Sequence, residues 1–257
     1  MFGLFSAFAE GENLAADAVE TVTEAVEEVA ETAAPATKTI FSKLAEVSPT
    51  IWGILAALVV IGVVLLVIRG SRTKWTTRML ANAAITIALA FVLSFIRLYK
   101  MPQGGSITPA SMLPIFIFSF AYGVGPGMFV GLAYGFLQWM QDGFWMLTPV
   151  EGVMDYLLAF ALIGLCGLAP VILKKVPVRV SLPIGCVIGA LGRAVCAVTA
   201  GVIFFAEYAP EGQSALAYSL GYNGLYLVPE TAICIVIALA VGPQLLKIAK
   251  AGEGRKH

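Results

Sequence analysis

Seven apolar runs, separated by short breaks rich in Gly, Pro or Lys and Arg, restrict this chain more than any other feature. The first, 51 to 68, contains no charge and is long enough as a helix to cross a hydrocarbon layer about 30 Å thick. The others lie at about 79 to 98, 110 to 122, 124 to 141, 152 to 173, 182 to 206 and 220 to 246. Backbone polar groups inside lipid have to be satisfied within their own segment, so runs of this length imply helices. The chain therefore reads as an all-α, polytopic membrane protein. Its composition agrees, with 59% of residues hydrophobic and 12% charged, where a soluble domain carries roughly a quarter charged.

Charge divides the chain into regions. Nine of the sixteen acids fall in residues 1 to 50, whereas the bases gather in three places: Arg69, Arg72, Lys74 and Arg78; Lys174, Lys175 and Arg179; Lys247, Lys250, Arg255 and Lys256. Basic loops stay in the cytoplasm, and alternating the seven runs from the first cluster puts all three clusters on that side. The expected layout is an acidic arm outside the cell (1–50), an additional N-terminal span (51–69), a basic cytoplasmic linker (70–78), a six-helix membrane domain (79–248) and a cytoplasmic tail (249–257). Within the arm, Val19, Val22, Val26 and Val29 draw a narrow seam. Two heptads are too few to specify a coiled coil, so the arm reads as a solvated acidic helix or a partly disordered segment. Met1 to Glu10 lacks the basic start of a secretory signal, and none is expected there.

Several chemistries are excluded early. His257 is the single histidine, which removes His-based triads and zinc sites. Cys166, Cys186, Cys196 and Cys234 all sit inside apolar runs without Cys-x-x-Cys spacing, so they read as small buried hydrophobes. No Gly-x-x-x-x-Gly-Lys-Ser/Thr loop is present and no basic patch suggests nucleic acid. Neither a metal nor a cofactor is implied.

Glu151 and Asp155 stand at the head of an apolar run, at a spacing that puts both on one face of a helix. An acid near the hydrocarbon layer normally faces a bundle interior or a wet cavity. Tyr156, Tyr218, Tyr222 and Asn223 fall in the outer third of their runs as well, so all can converge on one pocket. Carboxylate, amide and aromatic rings together suit a flat, nitrogen-rich cation. Trp139, Trp145 and Tyr208 read instead as interfacial belt residues. Arg193 and Glu230 lie at similar depth in their runs and are expected to form a structural ion pair. An intramembrane hydrolase using the two acids is the alternative of another class, but no nucleophile motif accompanies them.

Seven segments carry a family resemblance across 79 to 247: Met101-Pro-Gln-Gly-Gly-Ser-Ile107, Gly131-Leu-Ala-Tyr-Gly-Phe-Leu-Gln138, Asp155-Tyr-Leu-Leu-Ala-Phe160, Gly201-Val-Ile-Phe-Phe205, Tyr208-Ala-Pro-Glu-Gly212, Tyr218-Ser-Leu-Gly-Tyr-Asn-Gly224 and Pro229-Glu230. In this order they resemble the thiamine-specific substrate-binding (S) component of energy-coupling factor vitamin transporters. The resemblance implies a six-helix S-component that is not an enzyme. It captures thiamine outside, beneath the loop after its first helix, and relies on an energy-coupling module of one transmembrane subunit and two ATPase subunits. It further implies that Asp155 meets the thiamine cation beside Tyr156, that Tyr218 and Asn223 bind its rings, that Phe205 takes the place of a stacking aromatic and that Gly201 lines the same helix. Ala84 and Ala88 match the small-x-x-x-small face that meets the coupling subunit.

The departures from that pattern concern the ligand. Ala197 replaces a histidine that several members carry, no tryptophan stands near Gly105, and Glu151 occupies a place where glutamine is expected. The site then holds less stacking area and a second acid. A thiamine precursor or another vitamin is the corresponding alternative ligand.

Overall fold

The computed structural model of the protein describes residues 73–144 and 149–250. The expected acidic arm, the additional span at 51–69 and the tail beyond 250 lie outside the described residues. Within them, six helical elements follow in chain order: α1 (Thr77–Phe95), α2 (Leu113–Tyr122), α3 (Val124–Gln141), α4 (149–172), α5 (Val178–Phe204) and α6 (Ala215–Lys250).

Helix α1 begins where the Thr76 hydroxyl accepts the Met79 N–H at 3.2 Å, which satisfies one of the orphan donors of a helix start. Ala83 and Ala90 are buried, while Leu80, Ile85, Leu89 and Val92 are exposed. A helix that offers large apolar side chains outward while packing small ones inward suits lipid on one side and protein on the other. By length and composition α1, α4, α5 and α6 can each cross a membrane.

Helix α2 corrects the sequence expectation of a span over 110 to 122. It has 10 residues, about 15 Å at 1.5 Å per residue, half the thickness of a hydrocarbon core. Residues 108 to 112 instead form a turn in which Ala110 takes a φ of 68°. Leu113 and Ile115 through Phe120 are buried, so this apolar run is a core helix. The starts of α5 and α6 also come earlier than the apolar runs suggest, at Val178 after Pro177 and at Ala215, where the Ser214 hydroxyl accepts the Ala217 N–H.

Helix α4 is irregular along its whole length. An α turn (Pro149–Gly152) passes into a π segment (Val153–Leu158), a second α turn (Ala159–Leu162), a 3-10 segment (Ile163–Leu168) and a last α turn (Ala169–Ile172). It packs against α2, α3 and α5. A Cβ on Gly131 or Gly135 of α3 would run into the backbone oxygens of Phe160 and Tyr156, so only glycine allows this approach.

One feature departs from an all-α reading. Between α1 and α2 the chain forms a small antiparallel pair, β1 (Tyr99–Lys100) and β2 (Ser106–Ile107), with Tyr99 opposite Ile107 and Lys100 opposite Ser106. Gly104 and Gly105 turn it with φ of +100° and +84°, values that favour glycine.

Candidate binding site

A cavity of about 610 Å³ opens at the end of the bundle that holds the β hairpin. Asp155, Tyr156, Glu151, Gly201, Phe205, Tyr218 and Asn223 all line it, so the structure brings these seven residues together from α4, α5 and α6. Ala84 and Ala88 lie apart from it, both exposed on α1.

The two acids reach the cavity from the irregular head of α4. Glu151 sits in the first α turn and Asp155 in the π segment, so a regular i, i+4 pair is not what places them. A π turn accommodates an extra residue and recurs at functional sites. Glu151 is 1% exposed, whereas Asp155 is only partly buried and faces the open space more directly.

Tyr156 is fixed from two sides. Its hydroxyl donates to Asp142 Oδ2 at 3.2 Å, and its ring stacks on Trp139 with centroids 6.1 Å apart and planes 17° from parallel. Asp142 in turn accepts Arg97 Nη2 through Oδ1 at 2.7 Å. Sequence reasoning missed this network. Arg97, Gln138, Gln141 and Asp142 line the cavity too, and the ends of two runs near a polar break were the available signal. Trp139, expected in the interfacial belt, stacks on Tyr156; Tyr208 is exposed, and Trp145 lies outside the described residues.

Helix α5 and the residue that caps its C-terminus contribute a stripe at four-residue spacing: Arg193, Ala197, Gly201 and Phe205. A Cβ on Gly201 would collide with the Ser219 hydroxyl, so glycine lets α6 close on α5 here. From α6, Asn223 is held by Ser219 and Tyr226. Its Nδ2 donates to the Ser219 carbonyl at 2.8 Å, and its Oδ1 accepts the Tyr226 hydroxyl at 2.7 Å. The amide reaches the cavity already oriented, with a second lone pair on Oδ1 still able to accept.

At the floor, Arg193 Nη1 lies 3.6 Å from Glu230 Oε2. Glu230 Oε1 accepts Thr108 Oγ1 at 2.6 Å and Ser111 Oγ at 2.9 Å, while the guanidinium rests 4.2 Å from the centroid of the Phe160 ring. Arg193 is thus more than a structural partner of Glu230, since it also lines the cavity. A buried pair of this kind is tolerable because hydrogen bonds satisfy the remaining lone pairs.

The charges on the lining decide what the cavity can hold. Arg97 is engaged by Asp142 and Arg193 by Glu230, and the third lining cation, Lys100, is exposed at the mouth. Glu151 and Asp155 add two acidic side chains to the same lining, among the rings of Tyr156, Phe205 and Tyr218. That arrangement favours an organic cation with a flat ring. Among the described residues, no group of three or more His, Cys, Asp or Glu side chains could hold a metal.

Residues 80–250 match the model of the thiamine transporter protein family (Thia_YuaJ). The chain belongs to this family. Thiamine transporter ThiT of Bacillus subtilis (strain 168) is 36% identical over 184 residues, spanning 67% of this chain and 95% of the relative. Thiamine transporter ThiT of Lacticaseibacillus paracasei (strain ATCC 334) is 30% identical over 190 residues, spanning 67% and 91%. The solved structure of ThiT from Listeria monocytogenes superposes with a TM-score of 0.57 at 28% identity, covering 65% of this chain and 96% of that one. Family membership and the apolar helices make this a multi-pass membrane protein, a transporter rather than an enzyme. The family match begins at residue 80, so the segment at 51–69 stands outside it.

Proposed function

We propose that this chain is a thiamine-binding S-component that captures the vitamin outside the cell for ATP-driven uptake by an energy-coupling module of one transmembrane subunit and two ATPase subunits. The observation that carries the reading is that one cavity is lined by Asp155 and Glu151 together with the rings of Tyr156, Phe205 and Tyr218 and the fixed amide of Asn223. Thiamine carries a permanently positive thiazolium ring and an aminopyrimidine ring. Asp155, the more accessible acid, supplies the counter-charge; Tyr156, Phe205 and Tyr218 supply ring faces; Asn223 accepts a ring-bound N–H. Glu151 adds a second negative charge deeper in the wall. Ala84 and Ala88, small and exposed on α1, offer a surface on which a coupling-subunit helix can approach closely.

In this reading the basic loops lie in the cytoplasm, the N-terminus and the β hairpin lie outside, and the C-terminus is cytoplasmic. Two measurements test it. Mass spectrometry of the denatured, purified full chain should find thiamine, and titration with thiamine should quench tryptophan fluorescence; no signal from either would remove thiamine as the ligand. In a cysteine-free background, Ser106→Cys and Gln213→Cys should react with an impermeant maleimide on intact cells, and Val178→Cys only after lysis. The reverse pattern would exclude an uptake receptor.

A further inference from the structure

The β hairpin is tied to the bundle at its tip by polar contacts that converge on one side chain. Its own bonds are internal: Leu98 N donates to Ile107 O at 2.9 Å and Met101 N to Gly105 O at 3.0 Å. Its tip, Pro102 to Ser106, roofs the cavity. At the tip the polar ties to α6 go to the Tyr222 hydroxyl, which accepts the Gln103 N–H at 2.8 Å and donates to the Gly104 carbonyl at 2.9 Å, while just past β2 Thr108 Oγ1 donates to Glu230 Oε1 of the same helix at 2.6 Å. Apolar contact completes the closure, since Met101 is buried with Tyr226 and Leu227, and a Cβ on Gly105 would meet the Tyr226 ring at 2.7 Å. On the opposite side, Arg97, just before the hairpin, is held to Asp142.

We propose that the Tyr222 hydroxyl is the latch of this roof, a positioning residue that sets how long a bound ligand stays, while the Arg97–Asp142 pair and the Thr108–Glu230 bond anchor the two roots about which the tip of the hairpin swings. Opening breaks the two bonds made by one hydroxyl and slides Gly105 off the Tyr226 ring. The hairpin's internal bonds survive, so the roof lifts without unfolding. Tyr222 therefore acts on the exit step. The inference rests on the thiamine reading for its ligand, but its geometry does not.

Tyr222→Phe isolates the latch, because the ring and its contacts with Tyr218 and Tyr226, at 5.9 and 6.5 Å, can remain. Stopped-flow tryptophan fluorescence with thiamine on the purified full chain should show release about tenfold faster, the loss of two neutral hydrogen bonds, with association within about twofold of the parent protein. An unchanged release rate would overturn the latch. Hydrogen exchange without ligand supplies a second readout: the Gln103 amide should exchange faster in Tyr222→Phe, while the Met101 amide, bonded inside the hairpin, should not. Equal exchange at Gln103 would also overturn it. If the parent protein gave no response to thiamine, the ligand assignment would fall and exchange at Gln103 would decide the latch alone. Should Tyr222→Phe fail to fold, Gly105→Ala, which drives a methyl against the Tyr226 ring, should speed release in the same way, and unchanged release there would sink the proposal.

Discussion

Helices α1 and α4 have nearly the same mean hydropathy, yet 28% of an 18-residue apolar stretch of the one and 56% of such a stretch of the other is buried in the bundle. The first is a regular α-helix with Leu80, Ile85, Leu89 and Val92 facing outward. The second alternates α, π and 3-10 turns and carries two of the three cavity acids, Glu151 and Asp155. Apolar character alone sends a segment into lipid; it does not decide whether that segment becomes wall or core. Regular geometry suffices for a helix that slides against lipid or another subunit. One surrounded by protein can depart from it, because neighbouring helices compensate, and the departure is what aims Asp155 and Tyr156.

The largest effect that would sharpen this contrast is on ligand binding. Asp155→Asn should weaken thiamine binding by about 2 to 5 kcal/mol, the cost of truncating one side of a desolvated charge pair, and by far more than Glu151→Gln. Equal calorimetric affinities for Asp155→Asn and the parent would break the charge-matching account of α4. A smaller effect is expected on stability. Gly135→Ala places a methyl against the Tyr156 carbonyl and should cost about 1 to 3 kcal/mol of overpacking, read as a lower unfolding midpoint. An exposed change on α1, Ala81→Leu, should stay within about 0.5 kcal/mol. If both behaved alike, the distinction between wall and core would be lost.

The smallest effect on binding should come from Ala84→Trp combined with Ala88→Trp. The double variant should bind thiamine as the parent does and yet fail in cellular uptake, because the bulk blocks a partner helix. Loss of binding in the purified variant would show that α1 packs the protein's own interior there.

Much of this was legible in the chain itself. Six helical elements of the membrane domain follow from the apolar runs, and Asp155, Tyr156, Tyr218 and Asn223 stand out as polar groups where polar groups are costly. The Gly131-x-x-x-Gly135 spacing was visible too, although its use against the backbone of α4 was not. The run at 110 to 122 misled, because a buried ten-residue helix and a membrane span are equally apolar and differ only in length and surroundings.

The sequence by itself determined that the chain lives in a membrane and that its core is helical, since each is a property of local hydropathy over one span. Tertiary structure alone decided that Arg97 meets Asp142 across 45 residues, Gln103 meets Tyr222 across 119 and Thr108 meets Glu230 across 122. Such partners depend on the register in which whole helices pack. That register is set by glycine contacts, a π turn and a hairpin, and local spacing in the chain does not say which partner each will meet.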